Sequence, residues 1–488
     1  MRRIGSVEFL IQRIQKALRV KLPHGWSRAT LMFDDENLVS CTGLVPVMAL
    51  AEQAGLSELV DDRVVFKATR VASAAVNPAG KVTSIIAGMA AGADSIEDLE
   101  VIRSGGMPRL FSEVYASATL GQFLREFTHG HTLQLASVLR AHLVSLAART
   151  DLLPDIGEQA FVDIDSLLRP VYGHAKQGAS FGHAKVAGRQ VLRRGLSPLA
   201  TTISTPSAAP VIAGIRLRAG KAGSGRGAES MVTEAIRTAR AAGASGEILV
   251  RGDSAYGTSA VVGACLRAGV RFSVVLAKNA AVTRAIGTIA EDAWRPVHYP
   301  GAVVDPDTGE LISDAEVAET TYTAFASTSG PVTARLIVRR VRDRNKLDEL
   351  FPVWRHHPFF TNSAESTTAA DITHRRHAII ETVFADLIDG PIAHMPSGRF
   401  SANSAWALCA AITHNLLRAA GTLTSRPHAV ARGATLRRQI ITVPARLARP
   451  QRRPMLHLPA HWPWAQQWTT LWRNVFTPAT GPPGHRLN

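Results

Sequence analysis

Two aspartates inside a short apolar run constrain the fold of this chain more than any other feature. The run Phe161–Leu168 has the length and composition of a buried strand, and Pro170 ends it because proline cannot donate to an interior ladder. Side chains on a strand alternate, so Asp163 and Asp165 point to the same face. Buried carboxylates need a hydrogen bond, an ion pair or a metal ion. A strand-end turn or an ion pair with Arg169 is the simpler alternative to a functional site.

The charge of the chain indicates a polyanionic partner. Its 488 residues carry 55 Lys and Arg against 39 Asp and Glu, a net charge of +16. No Asp or Glu follows Asp389, whereas arginines recur from Arg399 to Arg486. Such an excess favours nucleic acid or an anionic membrane surface, and the lack of a run of about 18 apolar residues argues against a transmembrane helix. The 3 cysteines are far apart, which is typical of a reducing cytosol.

The spacing of apolar residues divides the chain into regions. Residues 33–150 have helical spacing, and VPVMALAEQAGLSELV is typical of either the first two helices of a helix-turn-helix or an ordinary helical hairpin. Residues 160–280 follow the order β-β-β-α-β-α-β, which predicts a mixed α/β sheet with helices packed on it. Short strands predict a mainly-β insertion over residues 281–365, and helices return in residues 366–421. The remaining segments are a basic extension and an Arg/Trp-rich tail, residues 1–32 and 422–488.

Two further acids stand where an α/β sheet presents groups to a ligand. Asp253 follows the predicted strand in EILVRGDSAYG, at the edge where the chain turns toward a helix. Glu381 lies on a helix predicted over Asp371–Asp389, and His374 and His377 share its stripe through spacings of three and four. The alternatives are an N-cap or Asx turn at Asp253 and a solvated polar face at Glu381.

Together, Asp165, Asp253 and Glu381 supply the oxygen donors that Mg²⁺ prefers. Two such ions about 3.5–4 Å apart activate a water and stabilise the leaving oxygen in phosphoryl transfer. The segment HAKQGASFGHAK lacks the partner pattern of a zinc site. Its lysines and the arginine that follows are instead candidate phosphate contacts: Lys176, Lys185 and Arg189.

The combination of motifs resembles the DDE-type transposases of bacterial insertion sequences, in the group with a β insertion between the second Asp and the Glu. The resemblance runs from about Phe33 to Trp472 and is carried by VDIDSLLRPVYGHAKQGASFGHAK, LVRGDSAYG, HRRHAIIETVFADL and HMPSGRFSANSAWALCAAITHNLLRAAG. The longer gap, between Asp253 and Glu381, holds the insertion. The first Asp of the family stands at Asp165, which leaves Asp163 as the reserve candidate.

This resemblance implies an RNase H-like catalytic domain behind an N-terminal helical DNA-binding domain. It implies metal-dependent cleavage at the ends of the element and strand transfer into target DNA. Asp165, Asp253 and Glu381 would be both catalytic and metal-binding, with two Mg²⁺ ions that Mn²⁺ can replace. The partners would be double-stranded DNA, as terminal inverted repeats and as target, and a second copy in a homodimer. We expect a cytoplasmic, nucleoid-associated protein with no membrane partner.

The helix that carries Glu381 departs from the pattern of many relatives. They have Tyr-x-x-Arg-x-x-x-Glu and a lysine seven residues later, where this chain has His374, His377, Glu381 and Ile388. Histidine can contact phosphate, whereas isoleucine cannot. Ile388 therefore favours one alternative, a catalytically lapsed, transposase-derived DNA-binding protein; an RNase H-like nuclease without strand transfer is another. The candidate DNA contacts on this helix are His374, Arg375, Arg376 and His377.

Overall fold

The computed structural model describes residues 30–66, 73–173, 175–186, 189–223, 225–300, 315–328, 330–342 and 353–477. The chain divides into two units, Met1–Glu36 and Asn37–Asn488, and every element named below lies in the second. The predicted extension over residues 1–32 falls almost wholly outside the described residues. Within the described part of the chain, no helix is long and apolar enough to cross a membrane.

The region after Asn37 is helical, as the apolar spacing predicts. Gly55, between the first two helices, has a φ of +79°, which glycine adopts without strain, and it lets the chain reverse. This hairpin packs against the third and fifth helices, so its apolar face lies in the core, while Glu58, Asp61 and Asp62 remain exposed. The elements are β1 Leu38–Val39, α1 Leu44–Gln53, α2 Leu56–Arg63, α3 Pro78–Ala91, α4 Ser117–Glu126 and α5 His129–Arg149.

A mixed sheet of 11 strands forms the centre of the described structure. Its middle follows the predicted order, with helix α6 (Ala228–Ala241) before the strand Glu247–Gly252 and helix α7 (Ser259–Arg267) before the strand Arg271–Val275. The strands are β2 Gln159–Ser166, β3 Arg169–Pro170, β4 Ser180–Val186, β5 Arg189–Ser204, β6 Val211–Ala219, β7 Glu247–Gly252, β8 Arg271–Val275, β9 Arg295–Pro296, β10 Ala315–Ala324, β11 Val332–Arg342 and β12 Trp354–Thr361.

Five of these strands, in the spatial order β6-β5-β2-β7-β8, carry the predicted sites. The pairs β6–β5 and β5–β2 are antiparallel, and the pairs β2–β7 and β7–β8 are parallel. The Gly-rich segment HAKQGASFGHAK after β3, for which the sequence predicts no strand, ends in strand β4, which pairs with β5. Its Gly182 accommodates a neighbouring backbone, since a Cβ there would lie 2.3 Å from the Gly220 carbonyl oxygen.

The strands of the insertion continue the same sheet. Strand β12 pairs with β8 in antiparallel orientation, and β11, β10 and β9 follow outward. The insertion also begins with a helix that the sequence did not predict, α8 (Ala280–Gly287), capped by the Asn279 side chain, which accepts from the Val282 amide at 3.0 Å.

Two helices replace the single helix predicted over Asp371–Asp389. Helix α9 (Thr367–Arg375) is followed by a 3₁₀ turn and then by α10 (Ile380–Ile388). In the turn, His377 Nδ1 lies 2.7 Å from the His374 carbonyl oxygen, and such local side-chain bonds compete with the regular helix. The next helix, α11 (Phe400–Thr422), is buried almost throughout and packs on β6, α5 and α3.

The tail folds onto this body. Arg432 and Arg418 both donate to the buried Asp386 carboxylate of α10, the latter at 2.6 Å. Trp464, Trp468 and Trp472 stand four residues apart, a spacing that predicts a helix packing its Trp face. The helix begins after Trp464, and within it Trp468 is buried and stacks on Trp472 with ring centroids 5.4 Å apart. The elements are α12 Arg426–Ala429, α13 Gly433–Leu436, β13 Ala445–Ala448, β14 Met455–His457 and α14 Ala465–Phe476, and β13 joins β1 and β14 in a small sheet.

Candidate active site

The carboxyl ends of β2 and β7 bring the first two predicted carboxylates together. The parallel register of these strands pairs Ile164 with Gly252, and the next residues are Asp165 and Asp253. Asp165 is half-buried and Asp253 is exposed. Asp253 Oδ1 also accepts from the Ala255 amide at 2.9 Å, so the Asx turn considered as the alternative is present at the same residue. An Asx turn and a role as metal ligand are compatible at Asp253, since the turn uses only Oδ1 and the second carboxylate oxygen remains available for an ion.

The other strand acid, Asp163, is held in a buried ion pair. Arg251 stands opposite it in the register and donates through Nε at 2.7 Å and Nη2 at 2.8 Å. The guanidinium also lies over the Phe161 ring, 4.1 Å from its centroid. Asp163 therefore has a structural role as the partner of Arg251, whereas Asp165 remains a candidate for the active site.

The ion pair between Asp163 and Arg169, the simple alternative from the sequence, does not form. Arg169 instead donates to the backbone carbonyls of Ile392 and Ala393, the former at 2.9 Å. It therefore fastens β3 to the segment after α10, and the arginine that neutralises Asp163 comes from the neighbouring strand β7.

Glu381 lies in the first turn of α10, which packs against β2. The apolar side of this helix is buried through Ile380, Val383 and Leu387, as predicted. The Glu381 side chain is exposed and has no hydrogen bond or ion pair within the described residues. It is thus a free carboxylate on the helix beside the strand that carries Asp165.

The three carboxylates influence one another electrostatically. Burial raises the pKa of Asp165 to about 7, and repulsion from Asp253 and Glu381 contributes to the rise. The Ser166 amide, which donates to Asp165 Oδ1 at 2.6 Å, acts in the opposite direction. A raised carboxylate pKa with a specific charge cause is typical of functional sites.

The donor set fits a hard divalent cation, because it consists of carboxylate oxygens whose mutual repulsion a cation would relieve. In the described part of the chain, however, no group of three or more His, Cys, Asp or Glu side chains lies close enough to hold a metal ion. Asp165, Asp253 and Glu381 therefore supply the right chemistry and have to approach one another to share an ion.

Tyr256 adds an unpredicted polar group next to the aspartates. It is 0% exposed, and its hydroxyl lies near Ser166 and Arg218 without a hydrogen bond of good geometry among the described residues. Burial raises its pKa, and the negative charges of Asp165 and Asp253 raise it further. An unsatisfied buried hydroxyl costs about 1–3 kcal/mol, so this position is energetically unfavourable for tyrosine unless the site uses it.

The lysine predicted as a phosphate contact after β3 has a structural role. Lys176 Nζ donates to the carbonyls of Met395 at 2.6 Å and Ser397 at 3.1 Å. Burial lowers its pKa. These bonds tie the connection after β3 to the segment before α11. The side chains of the other two candidates there, Lys185 and Arg189, lie outside what the structure describes.

The histidines near Glu381 are placed differently from the predicted common stripe. His374 is buried, bonds Ser273 Oγ through Nδ1 at 2.9 Å and stacks on Phe359 with ring centroids 4.2 Å apart. Burial holds its pKa well below the usual range, so the ring is neutral. This position does not suit a phosphate contact. His377 is half-buried beside it, while Arg375 and Arg376 are exposed.

Sequence reasoning missed Arg251, Arg218 and Tyr256. Arg251 carried a usable signal, since a charged residue in an apolar strand needs a buried partner and Asp163 offered one. Arg218 is buried on β6 and donates to Ser197 Oγ at 3.1 Å, and its positive charge partly offsets that of Asp165. Its proximity depends on strand pairing, for which the sequence carries no local signal.

Comparison with known families agrees with this geometry. A family model described as transposase DDE domain, group 1, matches residues 24–477, a range that includes Asp165, Asp253 and Glu381. None of the curated proteins compared matches the chain. The match confirms the resemblance inferred from the motifs, and the chain belongs to the group 1 family of transposase DDE domains.

Proposed function

We propose that this protein is a DNA transposase that binds the ends of an insertion sequence, cleaves them and transfers the strands into target DNA. The observation that carries the proposal is that Asp165 and Asp253 follow one another at the ends of two parallel strands and that the charges of Asp253 and Glu381 both raise the pKa of Asp165. Within the described residues none of the three carboxylates has an ion pair. Membership of the family implies a DNA substrate and an enzyme of the nuclease or transposase type.

The order of the central strands supports an RNase H-like catalytic domain. Three antiparallel strands followed by two parallel ones, with α6 and α7 as crossovers, agree with the fold that the resemblance implies. In such sheets the carboxyl ends of the parallel strands carry the ligand groups, and Asp165 and Asp253 stand there.

The carboxylates determine when DNA can enter. Three negative charges repel a phosphodiester, so the site accepts DNA only after cations have neutralised it. Asp165, Asp253 and Glu381 would hold two Mg²⁺ ions, which supply an activated water or hydroxyl and stabilise the leaving oxygen. The ion pair with Arg251 keeps Asp163 from binding these ions and holds β2 in register with β7.

In the proposed transposase, the helical region, residues 33–150, recognises the ends of the element. The protein acts as a homodimer, with one copy on each end. Base reading generally uses a helix in the major groove. The exposed acids of α2, Glu58, Asp61 and Asp62, oppose phosphate contact by that helix. Photocrosslinking from α1–α5 positions of the full chain to an end duplex tests the assignment, and the mass of the protein–DNA complex gives the number of copies.

Cleavage assays on single carboxamide variants test the reaction. The substrate is a duplex that joins the inverted repeat bracketing the gene to its flanking DNA, with Mg²⁺. Asp165→Asn, Asp253→Asn and Glu381→Gln should each abolish cleavage while DNA binding persists. Asp151→Asn, a change at an exposed acid in the loop after α5, is the matched control and should cleave normally.

The same assay separates the alternatives. Near-normal cleavage by any of the three variants contradicts the assignment of that carboxylate. A wild-type protein that binds without cutting is a lapsed DNA-binding protein, the possibility that Ile388 raised. Cutting without joined products in the presence of target DNA identifies a nuclease.

A further inference from the structure

Cationic side chains gather on one face of the inserted strands β11 and β12. Arg339 stands opposite His357 in their register, and Arg355 lies on the same face because it is two residues earlier on β12. Phe359, two residues after His357, also points to this face and stacks on His374 of α9. The cations therefore lie on the side of the sheet against which the helix preceding Glu381 packs.

Two further cations join this group from neighbouring elements. The Arg375 guanidinium, at the end of α9, lies 3.9 Å from the centroid of the Tyr299 ring. The other is Lys278, three residues after the end of β8. Burial lowers the pKa of His357, and repulsion from Arg339, Arg355 and Lys278 lowers it further, so these three cations lie around the His357 imidazole. Lys278, Arg355, His357 and Arg375 are exposed, and Arg339 is half-buried.

Among the described residues, the acidic side chains near this face are buried or engaged by other partners. Asp371, whose charge interacts with Arg339 and Arg375, is 1% exposed and is engaged by the Tyr299 hydroxyl at 2.6 Å. Glu291 and Glu316 pair with Arg340, which points to the opposite face. Among the described residues, Lys278 and Arg339 have no ion pair. Like charges kept together in this way repel one another, and a polyanion would relieve the repulsion.

We propose that Lys278, Arg339, Arg355, His357 and Arg375 form a binding surface, the basic face, for the phosphodiester backbone of DNA that extends from the cleavage point. This inference rests on the proposed function and deepens it by naming a surface on the insertion. Guanidinium and ammonium groups contact phosphates of any sequence, so the basic face positions DNA rather than reading bases. Because the basic face lies beside α9, the DNA contact is next to the helix that precedes Glu381 in the chain.

Salt-dependent binding of the full chain tests the basic face. The probe is a labelled mixed-sequence DNA duplex, and the variant is Lys278→Ala/Arg339→Ala. Each lost phosphate contact should flatten the slope of log K against log salt by about 0.9, so the double variant should lose up to about 2. The matched control, Arg237→Ala/Arg267→Ala, removes the same charge from the exposed surfaces of α6 and α7. Its slope should stay close to that of wild type.

Equal slopes for the two double variants overturn the proposal. Lys278→Ala alone, at an exposed position, excludes misfolding as the cause and should flatten the slope by about 0.9. The measurement requires no cleavage. A wild type that binds without cutting therefore contradicts the proposed reaction only, whereas normal cutting with unchanged slopes contradicts only the role of the basic face.

Discussion

Arg251 and Asp163 form a bidentate ion pair across neighbouring parallel strands, with nitrogen–oxygen distances of 2.7 and 2.8 Å and both side chains 1% exposed. The remaining guanidinium nitrogen donates to the Thr373 carbonyl at 2.9 Å. One arginine thus joins β2, β7 and α9. It neutralises the structural acid and leaves Asp165, two residues later, at the edge of the sheet.

Asn substitutions at the two acids of β2 should have different effects on stability. Asp163→Asn leaves the Arg251 charge buried without its partner, and we expect the free energy of unfolding to fall by about 3–5 kcal/mol. Asp165→Asn removes a repelled carboxylate and should keep or raise stability. Urea unfolding of both variants measures the difference, and equal losses would contradict the division of roles.

The pKa of Asp165 predicts a pH dependence of stability. The folded pKa, about 7, lies above the ordinary aspartate pKa of 3.8, so the folded state binds more protons between these two pH values. Stability is therefore fully present below about pH 4 and is lost as the pH rises through 7. At about 1.4 kcal/mol per pKa unit, the loss is on the order of 4 kcal/mol. Asp165→Asn should remove it in urea titrations with a chelator, and Mg²⁺ should reduce it in wild type. Parallel pH profiles for wild type and the variant would contradict this account.

Removal of the Tyr256 hydroxyl should not cost stability. Because the hydroxyl is buried without a hydrogen bond of good geometry among the described residues, Tyr256→Phe should leave the free energy of unfolding unchanged or raise it by about 1 kcal/mol. Thermal and urea unfolding measure the effect. A loss of more than about 1 kcal/mol would mean that the hydroxyl is hydrogen-bonded in solution.

His374 should matter for stability and not for DNA affinity. His374→Gln removes the stacking on Phe359 and weakens the bond to Ser273, and together we expect a loss of about 1–2 kcal/mol. The ring is neutral and buried, so the salt dependence of DNA binding should not change. Arg376→Ala, at an exposed position two residues later, provides the contrast. A flatter salt slope for His374→Gln would restore the phosphate contact first inferred from the helix.

Arginines in the tail should fall into two classes. Arg432 pairs with Asp386 and with Asp389, the latter at 3.1 Å, so Arg432→Ala should lower stability by about 1–2 kcal/mol. Arg453 is exposed, and Arg453→Ala should leave stability unchanged and, where it contacts DNA, flatten the salt slope by about 0.9. Deleting residues 422–488 would remove α14, whose buried Trp468 and Leu471 lie on a helix that packs against α1, and would uncover the apolar face of α1, so truncation measures folding rather than DNA contact. A soluble, stable truncated protein would contradict that expectation.

Local chemistry was enough to predict much of this molecule. The apolar run of β2 and the order of elements between residues 160 and 280 are properties of neighbouring residues, and the structure agrees with them. The acids Asp165 and Asp253 were identified for the same reason, because each interrupts or ends an apolar strand. The family, too, follows from such motifs in combination.

What the sequence by itself determined was therefore which residues form strands and helices and which acids are exceptional among them. Only the tertiary structure decided which charge meets which. Arg251 rather than Arg169 neutralises Asp163, and His374 stacks on Phe359 instead of facing outward with Glu381. The insertion extends the sheet, and the tail arginine Arg432 holds α10. These contacts join residues far apart in the chain. Strand pairing and burial bring such residues together, and neither leaves a local pattern in the sequence.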